Sequence, residues 1–167
     1  MNRTELMVKA MTWKYPETIP VSVGILPAMW KKYPEETRAM VSRYTQFFGD
    51  LGERYDYETS LSERFRVGKH IDEWGCVWSN IEEGMNSIVT EHPVKTREDI
   101  RRLEIPKLRD GKLPHGFMYL RYLDLRGFEE AMLDFAEEPP ELQTLLDKIL
   151  EHNLIQTDIA IKNNFLT

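Results

Sequence analysis

Apolar positions along the chain change period several times, and each change marks an element. Phe128, Ala131, Met132, Phe135 and Ala136 recur at i, i+3, i+4, i+7 and i+8, the spacing of one apolar face of an α-helix. Glu129, Glu130, Asp134, Glu137 and Glu138 take the other face. Pro139 and Pro140 must stop that helix, because their rings remove amide donors and clash with the preceding turn. They also suit the first turn of a new helix, where Glu141 meets the positive end of the dipole. Leu142, Leu145, Leu146, Ile149 and Leu150 then continue the helical stripe.

Upstream, Asn2 and Glu5 form a capping-box pattern before a short helix carrying Leu6, Ala10 and Trp13, ended by Pro16. Residues 19–26 are β-branched, apolar and bounded by prolines, and predict a buried strand. A helix opens at Pro34, carries Met40, Val41, Tyr44, Phe47 and Phe48 on one face, and closes at Gly49 and Gly52. Residues 53–95 are irregular. There Cys76-Val77-Trp78 and Ser87-Ile88-Val89-Thr90 flank a turn-like Glu82-Glu83-Gly84 and predict a hairpin or meander. Thr96 to Asp99 caps a short helix reaching about Leu103, and residues 106–114 form a loop. The apolar run 116–123 predicts a second core strand, feeding the helices that follow.

Strands alternating with helices point to the α/β class, a parallel sheet or barrel. A closed (β/α)8 barrel needs at least about 200 residues. The 167 residues therefore predict a partial TIM-type barrel, about half of one, with an irregular β insertion. On this reading 1–167 is a single incomplete domain, whose final residues, 159–167, still have helical or strand-approach character.

Composition narrows the function classes. A net charge of −6 without a Lys/Arg cluster excludes a nucleic-acid surface. A single cysteine, Cys76, precludes an internal disulfide framework and fits a reducing compartment. No apolar stretch approaches a membrane span, and the N-terminus lacks the apolar core of a signal peptide. A cytoplasmic protein is expected.

Four stretches in order, 19–23, 72–78 (Asp-Glu-Trp-Gly-Cys-Val-Trp), Glu91-His92-Pro93 and 125–142, resemble the uroporphyrinogen decarboxylase superfamily. The similarity is greatest to the decarboxylase-like branch related to corrinoid-dependent methyltransferases. The resemblance implies a (β/α)8 barrel of which this chain is the N-terminal half. It also implies chemistry at the barrel mouth on a tetrapyrrole or a corrinoid, with a corrinoid protein as one carrier of the latter. The decarboxylases have an Arg-rich segment after the first strand to pair substrate carboxylates. Here the matching residues 24–30 contain no arginine, and a substrate with many carboxylates needs guanidinium partners. Methyl transfer between a corrinoid and a thiol or similar acceptor is therefore the first expectation. Porphyrinogen decarboxylation is the alternative, and a non-catalytic tetrapyrrole-binding or interaction module is a third reading. Zinc ligands are expected in the family's C-terminal half, so this half is expected to hold no metal or cofactor by itself and to be inactive alone. Open barrel edges would invite self-association.

The resemblance directs attention to particular residues. Asp72 lies near the family's mouth aspartate, where a carboxylate can orient pyrrole N–H groups; otherwise it caps a turn. His70, two residues away, shares a face with Asp72 if the segment is extended, as acid–base partner or as a surface hydrogen-bonding pair. Trp74 and Trp78 either wall a planar macrocycle or belong to the core. Cys76 is a soft metal ligand or a small buried hydrophobe. Tyr119 falls near a tyrosine of the decarboxylases and is the third catalytic candidate. Arg121, on the same side of the predicted strand, and Tyr122 are candidate substrate contacts, with an ion pair between Arg121 and Asp124 as the structural alternative. His92 and His115 adjoin prolines and suggest turn roles; His152 is expected to be solvated.

Overall fold

The computed structural model describes residues 3–21, 23–107 and 110–163. Asn2 of the capping pattern, Ser22 of the first predicted strand and residues 164–167 lie outside the described residues. The chain divides into two compact units, one of Met1–Arg66 with Glu82–Met85, the other of Val67–Ile81 with Asn86–Thr167.

The first unit is built from short helices: α1 (Arg3–Met11), α2 (Pro27–Lys32), α3 (Pro34–Arg43), α4 (Thr45–Phe48), α5 (Leu51–Arg54) and α6 (Tyr57–Ser60). Proline opens both α2 and α3, where its missing N–H costs nothing. Trp30 on α2 is buried and stacks on Tyr55 with ring centroids 4.3 Å apart. Arg38 of α3 donates to the Gly52 carbonyl and lies over the Trp30 ring. The helix predicted from Pro34 to Phe48 is thus broken at Tyr44, whose backbone leaves the helical region.

The second unit holds the sheet. Strands β1 (Gly68–Ile71), β2 (Val77–Asn80) and β3 (Ile88–Glu91) form an antiparallel meander in the order β1-β2-β3. His70 pairs with Trp78 across β1 and β2, and a bulge interrupts β2 between Val77 and Trp78. Helices α7 (Arg97–Arg102), α8 (Tyr119–Arg126), α9 (Phe128–Glu137) and α10 (Pro140–Lys162) follow. The core gathers Trp74, Cys76, Trp78, Val94, Ile100, Tyr122, Leu125, Ala131, Leu145 and Ile149.

This architecture overturns the partial (β/α)8 barrel. Among the described residues the only sheet is three-stranded and antiparallel, so neither parallel strands nor open barrel edges are present. Residues 19–21 and 23–26 are not in a strand, and Ile19 is 84 % exposed. A strand needs neighbours to take its backbone hydrogen bonds, and Pro20 removes a donor from this stretch, which Pro16 and Pro27 flank. The second predicted strand is largely helix α8. Arg121, Tyr122, Leu125 and Arg126 are its buried residues, the i, i+1, i+4, i+5 set of a helix face.

The predicted double-helix module is present. Glu138 takes a left-handed conformation (φ 50°) after α9, and Pro139 and Pro140 start α10. Gly127 sits between α8 and α9 at φ 82°, where a Cβ would lie 3.1 Å from the His92 ring, so both conformation and space require glycine. The Thr96 cap is also present: the Asp99 carboxylate accepts from the Thr96 amide at 2.7 Å and from its hydroxyl at 2.9 Å. At the other end of α7, the Lys148 ammonium of α10 donates to the Ile100 and Leu103 carbonyls, satisfying acceptors that the helix end leaves open. Among the described residues no helix is long and apolar enough to cross a membrane.

Asp134 joins three helices. Assigned by periodicity to the polar face of α9, its side chain is instead wholly buried. It accepts from Arg97 Nε (2.9 Å), Arg126 Nε (2.8 Å) and the Tyr122 hydroxyl (3.0 Å). Removing one member of such a buried set strands the others. Asp134→Ala is expected to cost about 3–5 kcal/mol, seen as a lower urea midpoint; a midpoint unchanged from wild type would contradict the role.

Candidate functional site

The turn joining β1 to β2 is organised by one carboxylate. Asp72 Oδ1 accepts from the Trp74 and Cys76 amides at 3.0 and 2.9 Å, and Gly75 at φ 87° permits the tight reversal. Oδ2 accepts from Trp78 Nε1 at 3.0 Å and from Arg121 Nη1 at 2.6 Å. Four donors use essentially the whole acceptor capacity of a carboxylate. Burial pushes the Asp72 carboxyl up, but the Trp78 and Arg121 hydrogen bonds and the Arg121 charge outweigh it, leaving it below its ordinary range.

Arg121 is almost fully buried and has two further carboxylates near it, Glu73 at 3.9 Å and Asp124 at 4.0 Å. Asp124, one turn along α8, is in a different position from Asp72. Its Oδ2 is buried and accepts no hydrogen bond from the described residues, with His115 Nε2 at 3.7 Å and Arg121 Nη1 at 4.0 Å, just beyond hydrogen-bond range. Burial raises the Asp124 carboxyl, and the charges of Arg121 and the nearby histidines only partly oppose that rise. The backbone carbonyl of Asp124 receives the Cys76 thiol at 3.3 Å and lies 2.7 Å from His92 Nδ1. A carbonyl can only accept, so Nδ1 carries the proton.

The structure brings some of the sequence-predicted residues together and separates others. Asp72, Trp78 and Arg121 are in direct contact. His70 joins them through Trp78, its ring stacked at 6.1 Å between centroids, while His115 meets that indole edge-on at 5.4 Å. Trp74 belongs to the core and packs against His152 at 5.1 Å. His152 is 3 % exposed, which corrects its expected solvation: it lies on the inward face of α10 with Leu145 and Ile149. Tyr119 and Arg121 do not share a side. Two residues apart on a helix they diverge, so Tyr119 stacks on Phe135 while Arg121 meets Asp72. Tyr122 donates to Asp134, and burial together with that carboxylate raises its phenol.

Cys76 is fully buried, and burial followed by the Asp72 charge raises its thiol far above the ordinary range. Nucleophilic attack and metal ligation both require the thiolate, so this environment suits a small core residue. Among the described residues no group of three or more His, Cys, Asp or Glu side chains is arranged to hold a metal ion.

Sequence reasoning gave Asp124 only the role of an alternative partner for Arg121. The useful signal was its place three residues after Arg121, which on a helix sets both on one face. No family model, curated protein or solved structure matches the chain.

The opposite shifts of the two aspartates give opposite stability profiles. Asp72, lowered on folding, stabilises the fold above the unfolded carboxyl value near about 4, and that contribution disappears as pH falls through its folded value. Asp124, raised on folding, favours the fold at acid pH and loses that contribution as pH rises through its folded value. Thermal melts should therefore show Asp124→Asn more stable than wild type at pH 7, with the gap closing toward pH 4, and Asp72→Asn less stable at pH 7. Cys76 should resist a thiol reagent in native buffer and react once denaturant is added; rapid native modification would refute its burial.

Proposed function

We propose that the second unit binds a tetrapyrrole bearing free pyrrole N–H groups, as a binding module and not as a methyl-transfer centre. The observation that carries this reading is the buried Asp124 oxygen, which has no hydrogen-bond donor among the described residues. A buried acceptor left open is costly, and pyrrole N–H groups are donors that would satisfy it. The resemblance to the decarboxylase superfamily adds support, since Asp72, one of the residues that carry it, is held by the same Arg121 that lies 4.0 Å from this carboxylate. Asp72 itself is occupied by four protein donors, which favours Asp124 as the ligand-facing acid and leaves Asp72 and Arg121 to position it.

The same geometry weighs against a corrinoid. Its ring nitrogens hold cobalt and offer no N–H to Asp124. Methyl transfer to a thiol also calls for an activated acceptor, and the raised Cys76 thiol does not provide one. In that reaction the acceptor sulfur takes the methyl group, cobalt keeps the electron pair of the broken bond, and the thiol proton leaves to a base. Asp72 and Arg121 are fully engaged with each other and supply no such base.

The test is a titration of the full chain with mesoporphyrin, a metal-free porphyrin with only two carboxylates, followed by the shift of its main absorption band and by quenching of tryptophan fluorescence. Saturable binding is expected, with affinity at least about tenfold weaker in Asp124→Ala, from loss of a charge-assisted hydrogen bond. Equal binding by Asp124→Ala, or none by wild type, would overturn the proposal. Methylcobalamin and a thiol, incubated with the purified chain, should react no faster than without it; measurable turnover would restore methyl transfer.

A further inference from the structure

A second feature of the same unit lies away from the Asp72 network. A cleft of about 340 Å³ opens between the end of β3 and the junction of α8 with α9. Its lining includes Glu91, His92, Lys95, Arg126 and Glu130. That volume is at the lower end of small-molecule sites, so the occupant must be small.

Arg126 is the group that gives the cleft its chemistry. Its side chain is 2 % exposed, and it donates from Nε to Asp134, from Nη1 to the Lys95 carbonyl at 2.8 Å and from Nη2 to Glu130 at 2.9 Å. A guanidinium has five N–H donors. The three bonds leave one N–H on each terminal nitrogen without an acceptor among the described residues. Two donors on neighbouring nitrogens suit an anion that presents two oxygens in a plane. Lys95 adds an exposed ammonium that makes no ion pair among the described residues.

The acids limit the charge of the guest. Glu130 is shared with Arg126, and Glu91 is 3.5 Å from Lys69. Both carboxylates line the cleft, so an anion entering it gains one unshared cation, Lys95, and meets two negative groups. A doubly charged anion is disfavoured by that repulsion, while a single carboxylate is matched.

The geometry points to a binding site for a small monocarboxylate in this cleft, gripped by Arg126 and Lys95 and selected against dianions by Glu91 and Glu130. It does not rest on the tetrapyrrole reading, and its test uses other residues and another ligand. Calorimetric titration of the full chain with butyrate, and separately with inorganic phosphate, at matched ionic strength should show saturable heat for butyrate and none beyond a chloride control for phosphate. Lys95→Ala, at an exposed position, should weaken butyrate binding at least about tenfold while its melting curve stays that of wild type, and Lys95→Arg should retain binding. Butyrate binding unchanged in Lys95→Ala, absence of butyrate binding by wild type, or phosphate binding as tight as butyrate would each overturn the assignment.

Discussion

Helix α8 is eight residues long and buries two arginines, and the arrangement of the second unit follows from the need to neutralise them. A guanidinium removed from water is stable only if acceptors surround it. Arg121 finds Asp72 from the β1–β2 turn, with Glu73 and Asp124 close by. Arg126 finds Asp134 and Glu130 from α9 and the carbonyl of Lys95. The two cations leave α8 toward different neighbours, one to the sheet and one to the helical layer, so this single helix holds both together. The apolar core of Tyr122, Leu125, Ile100 and Leu145 fills the space between.

What the sequence revealed was local. The break at Pro139 and Pro140, the cap at Thr96 and Asp99, and the paired strands around Trp78 each depend on residues close in the chain, whose conformational demands are readable one at a time. The errors lie where a distant partner decides. Residues 19–26 carry strand-like side chains, but among the described residues no neighbouring strand takes the backbone hydrogen bonds of 19–21 and 23–26. Residues 116–123 are mostly apolar and aromatic, a composition that does not distinguish a buried strand from a buried helix. The two arginines were the better signal, because Arg121, Tyr122, Leu125 and Arg126 fall together only on a helix. The barrel inherited both errors, since it required parallel strands at those two places.

The candidate site was legible as a set of residues and illegible as a geometry. Asp72 and Trp78 lie in one run and Arg121 in another, and nothing in their spacing says that an indole N–H and a guanidinium would meet on the same carboxylate oxygen. Once they do, Asp72 is saturated and its neighbour Asp124 becomes the chemically open acid. Asp134 was misplaced for a related reason. A helix stripe of Phe128, Ala131, Met132 and Phe135 has Asp134 at its margin, and only the arrival of Arg97, Tyr122 and Arg126 turns that margin into the interior.

The separations across these networks bear on how the unit folds. Arg121 reaches Asp72 across 49 positions of the chain, Arg97 reaches Asp134 across 37, and Arg126 reaches the Lys95 carbonyl across 31. Arg126 finds Asp134 only eight positions away, but the carboxylate that hydrogen-bonds Arg121 comes from the distant β1–β2 turn, so a fragment with α8 docked and the sheet absent carries an uncompensated cation. Such partly assembled states are penalised by both loop-closure entropy and desolvation. The same charges that constrain the native packing therefore make its assembly cooperative, with the sheet, α7 and the α8–α9 pair acquiring stability in one concerted transition.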